Sequence, residues 1–174
     1  MPECLQLDDR LYNPYSVEDL AQTHPQVFAA LETWFKGVRQ FDDEPLLKLI
    51  AARGPEEVGK NRAAGEAALA HLPEFAGNLD PLIAALEQAL ARETAGSAMH
   101  LRLRELREAA RHNRKELLER APMLVAQAIA SADSFSTIVQ RAEALVDATA
   151  KKLETMARSS EDSTKSFTEL RPMI

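Results

Sequence analysis

The sequence predicts an all-α fold, a single-domain antiparallel helical bundle of about five to seven helices with a long C-terminal helix. Three observations carry that expectation. The apolar residues are dominated by Ala and Leu, the strongest helix formers. Aromatic residues make up only 5% of a chain that is 45% hydrophobic, so side chains suited to a pleated sheet are sparse. Apolar residues also recur at intervals of three and four through most of the chain, the period of a helix face. At 174 residues the chain is long enough for one ordinary core.

Taken in order, residues 1–15 mix Asp8, Asp9, Asn13 and Pro14 with Leu5, Leu7, Leu11, Tyr12 and Tyr15 and keep no period. They are expected to form an extended arm packed on the body, followed by a bundle domain over 16–158 and a flexible tail over 159–174. Ser16 can cap a short first helix, and Thr23-His-Pro-Gln26 reads as a capping box with proline in the first turn. The next helix should bury Val27, Phe28, Leu31, Trp34, Phe35 and Val38 and reach about Gln40. Asp42, Asp43 and Pro45 stop it and start another, which Gly54-Pro55 ends.

A third helix is expected from Pro55 to Leu72, with Gly59 and Gly65 each costing about 1 kcal/mol against Ala. Pro73–Asn78 reads as a loop. Asn78 or Asp80 then caps a helix with the stripe Leu82, Ile83, Leu86, Ala89 and Leu90. Gly96-Ser97 makes a turn, Ser97 caps a helix from Ala98 to about Arg120, and Pro122 opens the last helical region. That region is periodic to Arg158. It reads either as one helix or as two broken at Ser131–Ser134, where residues that prefer caps cluster.

The composition bounds function. A net charge of −6 weighs against wholesale binding to nucleic acid or to an anionic membrane. The lone Cys4 can form neither an internal disulfide nor a zinc site by itself. No apolar run approaches the roughly 20 residues of a membrane span. A cytoplasmic home is the expectation, with leaderless export an open alternative.

Motifs of chemistry are weak. Gly54-Pro-Glu-Glu-Val-Gly59-Lys60-Asn61 matches a phosphate-binding loop except that Asn61 replaces the hydroxyl that would hold Mg²⁺. Glu56 and Glu57 would set negative charge beside phosphate, and no strand delivers the loop, so a helix stop followed by a helix start is the expected structure. Glu108-Ala-Ala-Arg-His112 is spaced at four instead of the three a di-iron bundle needs. His24, His71, His100 and His112 are scattered, His71 being expected at a helix end. No catalytic residue, metal ligand or cofactor is predicted.

Two surfaces are predicted instead. From Ser97 to Ala121 the chain holds seven basic and four acidic residues, a local +3 that leaves −9 for the rest. Arg104, Arg107, Arg111 and Arg114 fall on one ridge, and neither Arg107 nor Arg114 has an acidic residue three or four positions away. Internal carboxylates are the first expected partners, with Asp42-Asp43-Glu44 and Glu56-Glu57 as candidates. An acidic protein comes next and a polyanion such as nucleic acid last. The second surface is the C-terminal helix, where Ile138, Val139, Leu145, Val146 and Leu153 lie on two adjacent stripes wide enough for two neighbours.

The function these features predict is a non-enzymatic protein–protein interaction module, an adaptor, chaperone-like factor or regulator, whose partner is another protein or a second copy of the chain. The alternatives are a polyanion-binding protein using Arg107, Arg111 and Arg114, and an enzyme whose site is assembled in space from dispersed residues.

Overall fold

A computed structural model describes Leu7, Asp8, Leu11 and residues 18–170. It is all-α. Among the described residues seven α-helices run in the order α1 (Leu20–Thr23), α2 (Pro25–Gln40), α3 (Glu44–Ala51), α4 (Gly54–Gly77), α5 (Leu79–Arg92), α6 (Ala98–Lys115) and α7 (Ala121–Leu170), with a π-helical turn over Glu116–Arg120. The chain divides into two units, Met1–Ala132 and Asp133–Ile174. Among the described residues the last one buried in the core is Ala132, within α7. The tail expected over 159–174 is helical as far as Leu170.

In the first unit α2 buries Val27, Leu31 and Trp34, and Phe28, Phe35 and Val38 pack partly buried beside them, so the expected face is the observed one. Its expected capping box is not formed. His24 occupies the N-cap, and the Thr23 hydroxyl donates back to the Asp19 carbonyl at 3.3 Å. His24 Nε2 instead lies 2.7 Å from Glu93 Oε1, tying the start of α2 to the end of α5. At Ser97 the expected cap does form, its Oγ accepting the His100 N–H at 3.1 Å. The two turns flanked by Gly54 and Gly96 take φ of +79° and +83°, a region that side chains disfavour.

Two prolines do not end helices where the sequence predicts. Pro73 sits inside α4, which runs on to Gly77 in place of the expected loop. Beyond it Phe75 and Ala76 are buried, and Phe75 stacks on both Trp34 (centroids 4.8 Å, planes 24° apart) and Phe41 (4.5 Å, 6°). Packing of one large ring between two others outweighs one lost backbone hydrogen bond. Pro122 likewise does not separate two helices. The π turn ends two residues before it, and α6 leads into α7 without a loop. A widened turn relieves the clash a proline ring would make with the carbonyl four residues back. Ser131–Ser134 is helical too, which settles the choice left open by the sequence in favour of one helix.

Close packing explains the glycine at 65. A Cβ built there would come within 2.6 Å of both Cβ and Cδ2 of Leu49, so α3 and α4 approach through the missing side chain. The described residues of the N-terminal arm pack on this core. Leu11 is fully buried, and Asp8 is held to α6 by a reciprocal amide pair: its N–H donates to Asn113 Oδ1 at 2.6 Å, and Asn113 Nδ2 donates to its carbonyl at 3.2 Å. Asn113 is itself fully buried, and the pairing with backbone satisfies its amide there. The rest of the arm, Cys4 included, lies outside the described residues, as do the expected Ser16 cap and the end of the tail at Met173-Ile174.

Candidate interaction surfaces

The segment resembling a phosphate-binding loop is helix. Gly54–Asn61 forms the first two turns of α4, with Glu57 Oε2 accepting the Arg53 N–H at 2.8 Å, Lys60 Nζ 3.1 Å from Glu56, and the Asn61 amide donating to the Glu57 carbonyl. From Val58 onward the backbone N–H groups of the segment are committed to the helix and cannot wrap a phosphate as a loop does. His71 lies inside α4, not at a helix end, and with Glu74 it lines an open groove of about 270 Å³ beside the Phe41–Phe75 stack.

The arginine ridge is drawn onto α5. Helices α5 and α6 pack against each other across the short connection after Arg92, which brings the acidic edge of one beside the basic edge of the other. Arg114 Nε donates to Asp80 Oδ1 at 2.6 Å, and Arg111 Nη2 to Glu87 Oε1 at 2.5 Å. Arg107 reaches Glu108 at 3.1 Å, the same carboxylate that lies 3.7 Å from Arg111. Arg104 is exposed.

The expected internal carboxylates are therefore present but are not the expected ones. Glu44 is taken by Lys48, Glu56 by Lys60 and Glu57 by the Arg53 backbone. The sequence could have supplied the pairing: a short connection makes α5 and α6 neighbours, so acids at 80 and 87 run opposite bases at 114 and 111. The paired side chains are about half exposed, so each bridge is worth only tenths of a kcal/mol to about 1 kcal/mol and remains open to competition.

A further bridge from the same helix joins Arg102 to Asp19, just before α1. The hydrogen bond from the guanidinium holds the Asp19 carboxyl below the ordinary carboxylate range against the opposing effect of burial, with the guanidinium's charge adding to it. A carboxylate with a depressed folded pKa contributes stability above its unfolded value, and that contribution is lost as pH falls through the lower folded value. In a carboxyl NMR titration Asp19 should therefore titrate below an ordinary aspartate, and Arg102→Leu should move its midpoint back up. An unchanged midpoint in the variant would show that the pair does not persist in solution.

The apolar surface is in the second unit. From Asp133 to Glu169 every described side chain except the half-buried Ser136 is exposed, including all five residues predicted for this face: Ile138 (63%), Val139 (37%), Leu145 (68%), Val146 (66%) and Leu153 (61%). Phe135, Met156 and Phe167 are exposed beside them. Phe135 lies on the same predicted stripe as Ile138 and Leu145, and Phe167 lies in the expected tail, where Phe167-Thr-Glu-Leu170 reads as a short docking motif. Among the described residues no helix is long and apolar enough to cross a membrane.

Comparison with family models, curated proteins and solved structures found no match to this chain.

Proposed function

We propose that this protein is a non-enzymatic helical interaction module, adaptor-like or regulatory, that engages another polypeptide through the exposed apolar stripe of α7. The observation that supports this reading is the stripe itself: at least eight large apolar side chains along one helix, all in water. A contiguous apolar surface of this kind marks a contact site far more often than a solvated face. A cytoplasmic setting accords with it, since a lone Cys4 stays reduced there.

The arginine ridge supports a polyanion partner less well, because Arg107, Arg111 and Arg114 each already meet a carboxylate. Nucleic acid would have to displace those contacts, and binding would be steeply salt-dependent.

The reading is tested by capture on the immobilised full chain followed by light scattering of the eluted complexes. Leu145→Asp with Leu153→Asp should abolish association, while Arg107→Ala with Arg114→Ala should leave it intact. Loss of association only in the arginine variant would transfer the function to the ridge.

A further inference from the structure

The exposed stripe of the second unit follows a seven-residue repeat spaced alternately by four and three. Phe135, Val139, Ala142, Val146, Thr149, Leu153, Met156 and Ser160 succeed one another at those intervals, the a and d positions of a coiled coil. The same repeat extends backwards to Ala132 and Val125, which are buried in the core of the first unit. One seam is thus filled at its start and exposed afterwards. Charge follows the repeat as well. Of the twelve charged residues between Asp133 and Leu170, ten lie on the three outer positions, and only Glu143 and Lys152 lie on the four that form or flank the seam.

Two properties of the seam identify what covers it. The first is size. With a second copy laid antiparallel about the point between Asp147 and Ala148, every layer sets unlike residues together: Phe135 with Ser160, Val139 with Met156, Ala142 with Leu153 and Val146 with Thr149. Phe135 then meets the small Ser160 and Leu153 the small Ala142, as close packing requires, while Val139 meets Met156 and Val146 the similarly sized Thr149. A parallel, in-register pair would set each residue against itself, with Phe135 crowding Phe135 while Ala142 and Ser160 left gaps. Sliding the antiparallel pair by one repeat either way would oppose Phe135 to Leu153 or to Phe167.

The second property is charge. In antiparallel pairs, flanking e positions face e positions and g positions face g. The one-repeat slides would bring Glu143 beside Glu143 of the other copy, or Lys152 beside Lys152. The centred register avoids both, placing Glu143 beside Ala150 and Lys152 beside Leu145, whose apolar side chain the lysine stem can cover. It also lays 137–147, net −1, along 148–158, net +2.

We infer that the stripe is covered by the same stripe of a second copy, in an antiparallel coiled coil centred between Asp147 and Ala148. This rests on the reading of α7 as a contact surface and names its partner.

The test uses the full chain with Cys4→Ser. Sedimentation should give twice the monomer mass, and Leu153→Asp should return the chain to monomer without shifting the Trp34 unfolding transition. In this background Ala142→Cys and Leu153→Cys variants, mixed and oxidised, should cross-link to each other, each alone remaining reduced, because the two 142 positions lie about 16 Å apart along the axis in the antiparallel pair. Self-cross-linking of each variant would mean a parallel pair and overturn the inference, as would a trimer or larger assembly. A strict monomer at about 100 µM would also overturn it. If that monomer still captured a polypeptide lost on Leu145→Asp with Leu153→Asp, the contact reading would survive and only the identity of the partner would fail.

Discussion

Phe75→Ala should cost about 3 to 5 kcal/mol of stability in the first unit, the range for deleting a buried aromatic ring. Phe75 is 8% exposed and stacks on both Trp34 and Phe41, so its removal opens a cavity bordered by two rings that cannot close on each other without moving α2. The effect should also be local in a particular way. Beyond Pro73 the last turn of α4 has lost one backbone bond, and Phe75 and Ala76 are what bury it. Amides of 74–77 should therefore exchange far faster in the variant, while those of 58–69 change only with global stability. Denaturant unfolding followed by Trp34 fluorescence measures the first quantity and hydrogen exchange the second. A cost below about 1 kcal/mol would mean that the ring stack is not what carries the helix past its proline.

Gly65→Ala should destabilise the first unit by about 1 to 3 kcal/mol, against the helix preference for alanine. The added methyl would meet Leu49 Cβ and Cδ2 at 2.6 Å, and the Cβ is fixed to the backbone of α3, so a rotamer change of Leu49 relieves only half of the clash. Gly59 provides the matched control on the same helix. Nothing lies within 4 Å of a Cβ there, so Gly59→Ala should stabilise by roughly 0.5 to 1 kcal/mol. The two substitutions are chemically identical and should move the unfolding midpoint in opposite directions. Equal stabilisation by both would show that α3 and α4 leave room for a methyl group at position 65.

The glycines show where sequence reading stops. Both carry the same helix penalty when judged by propensity, and only the neighbour at Leu49 separates them. The arginines make the same point. The need of Arg114 for a carboxylate was legible from its missing i,i+3 and i,i+4 partners, whereas its pairing with Asp80, like that of Arg111 with Glu87, depends on α5 lying alongside α6, and Arg107 meets the adjacent Glu108. Of the contact surface, the five residues Ile138, Val139, Leu145, Val146 and Leu153 were legible as an apolar face, but periodicity does not say whether a face is buried. Val125 and Val146 occupy the same repeat, and one is 2% exposed and the other 66%.

The sequence by itself determined that this protein is helical, where most of its helices begin, which faces of α2 and α5 are apolar, and that Ser97 caps α6. These are set by local preferences, by hydrophobic period and by side chains reaching backbone a few residues away. Tertiary structure alone decided that the chain would remain helical through Pro73 and past Pro122, which glycine must stay a glycine, which acids meet the arginines, and that the apolar seam of α7 is filled as far as Ala132 and open beyond it. Those outcomes turn on contacts between residues distant in sequence, and burial of a large side chain outweighs a single lost backbone hydrogen bond or an unfavourable propensity.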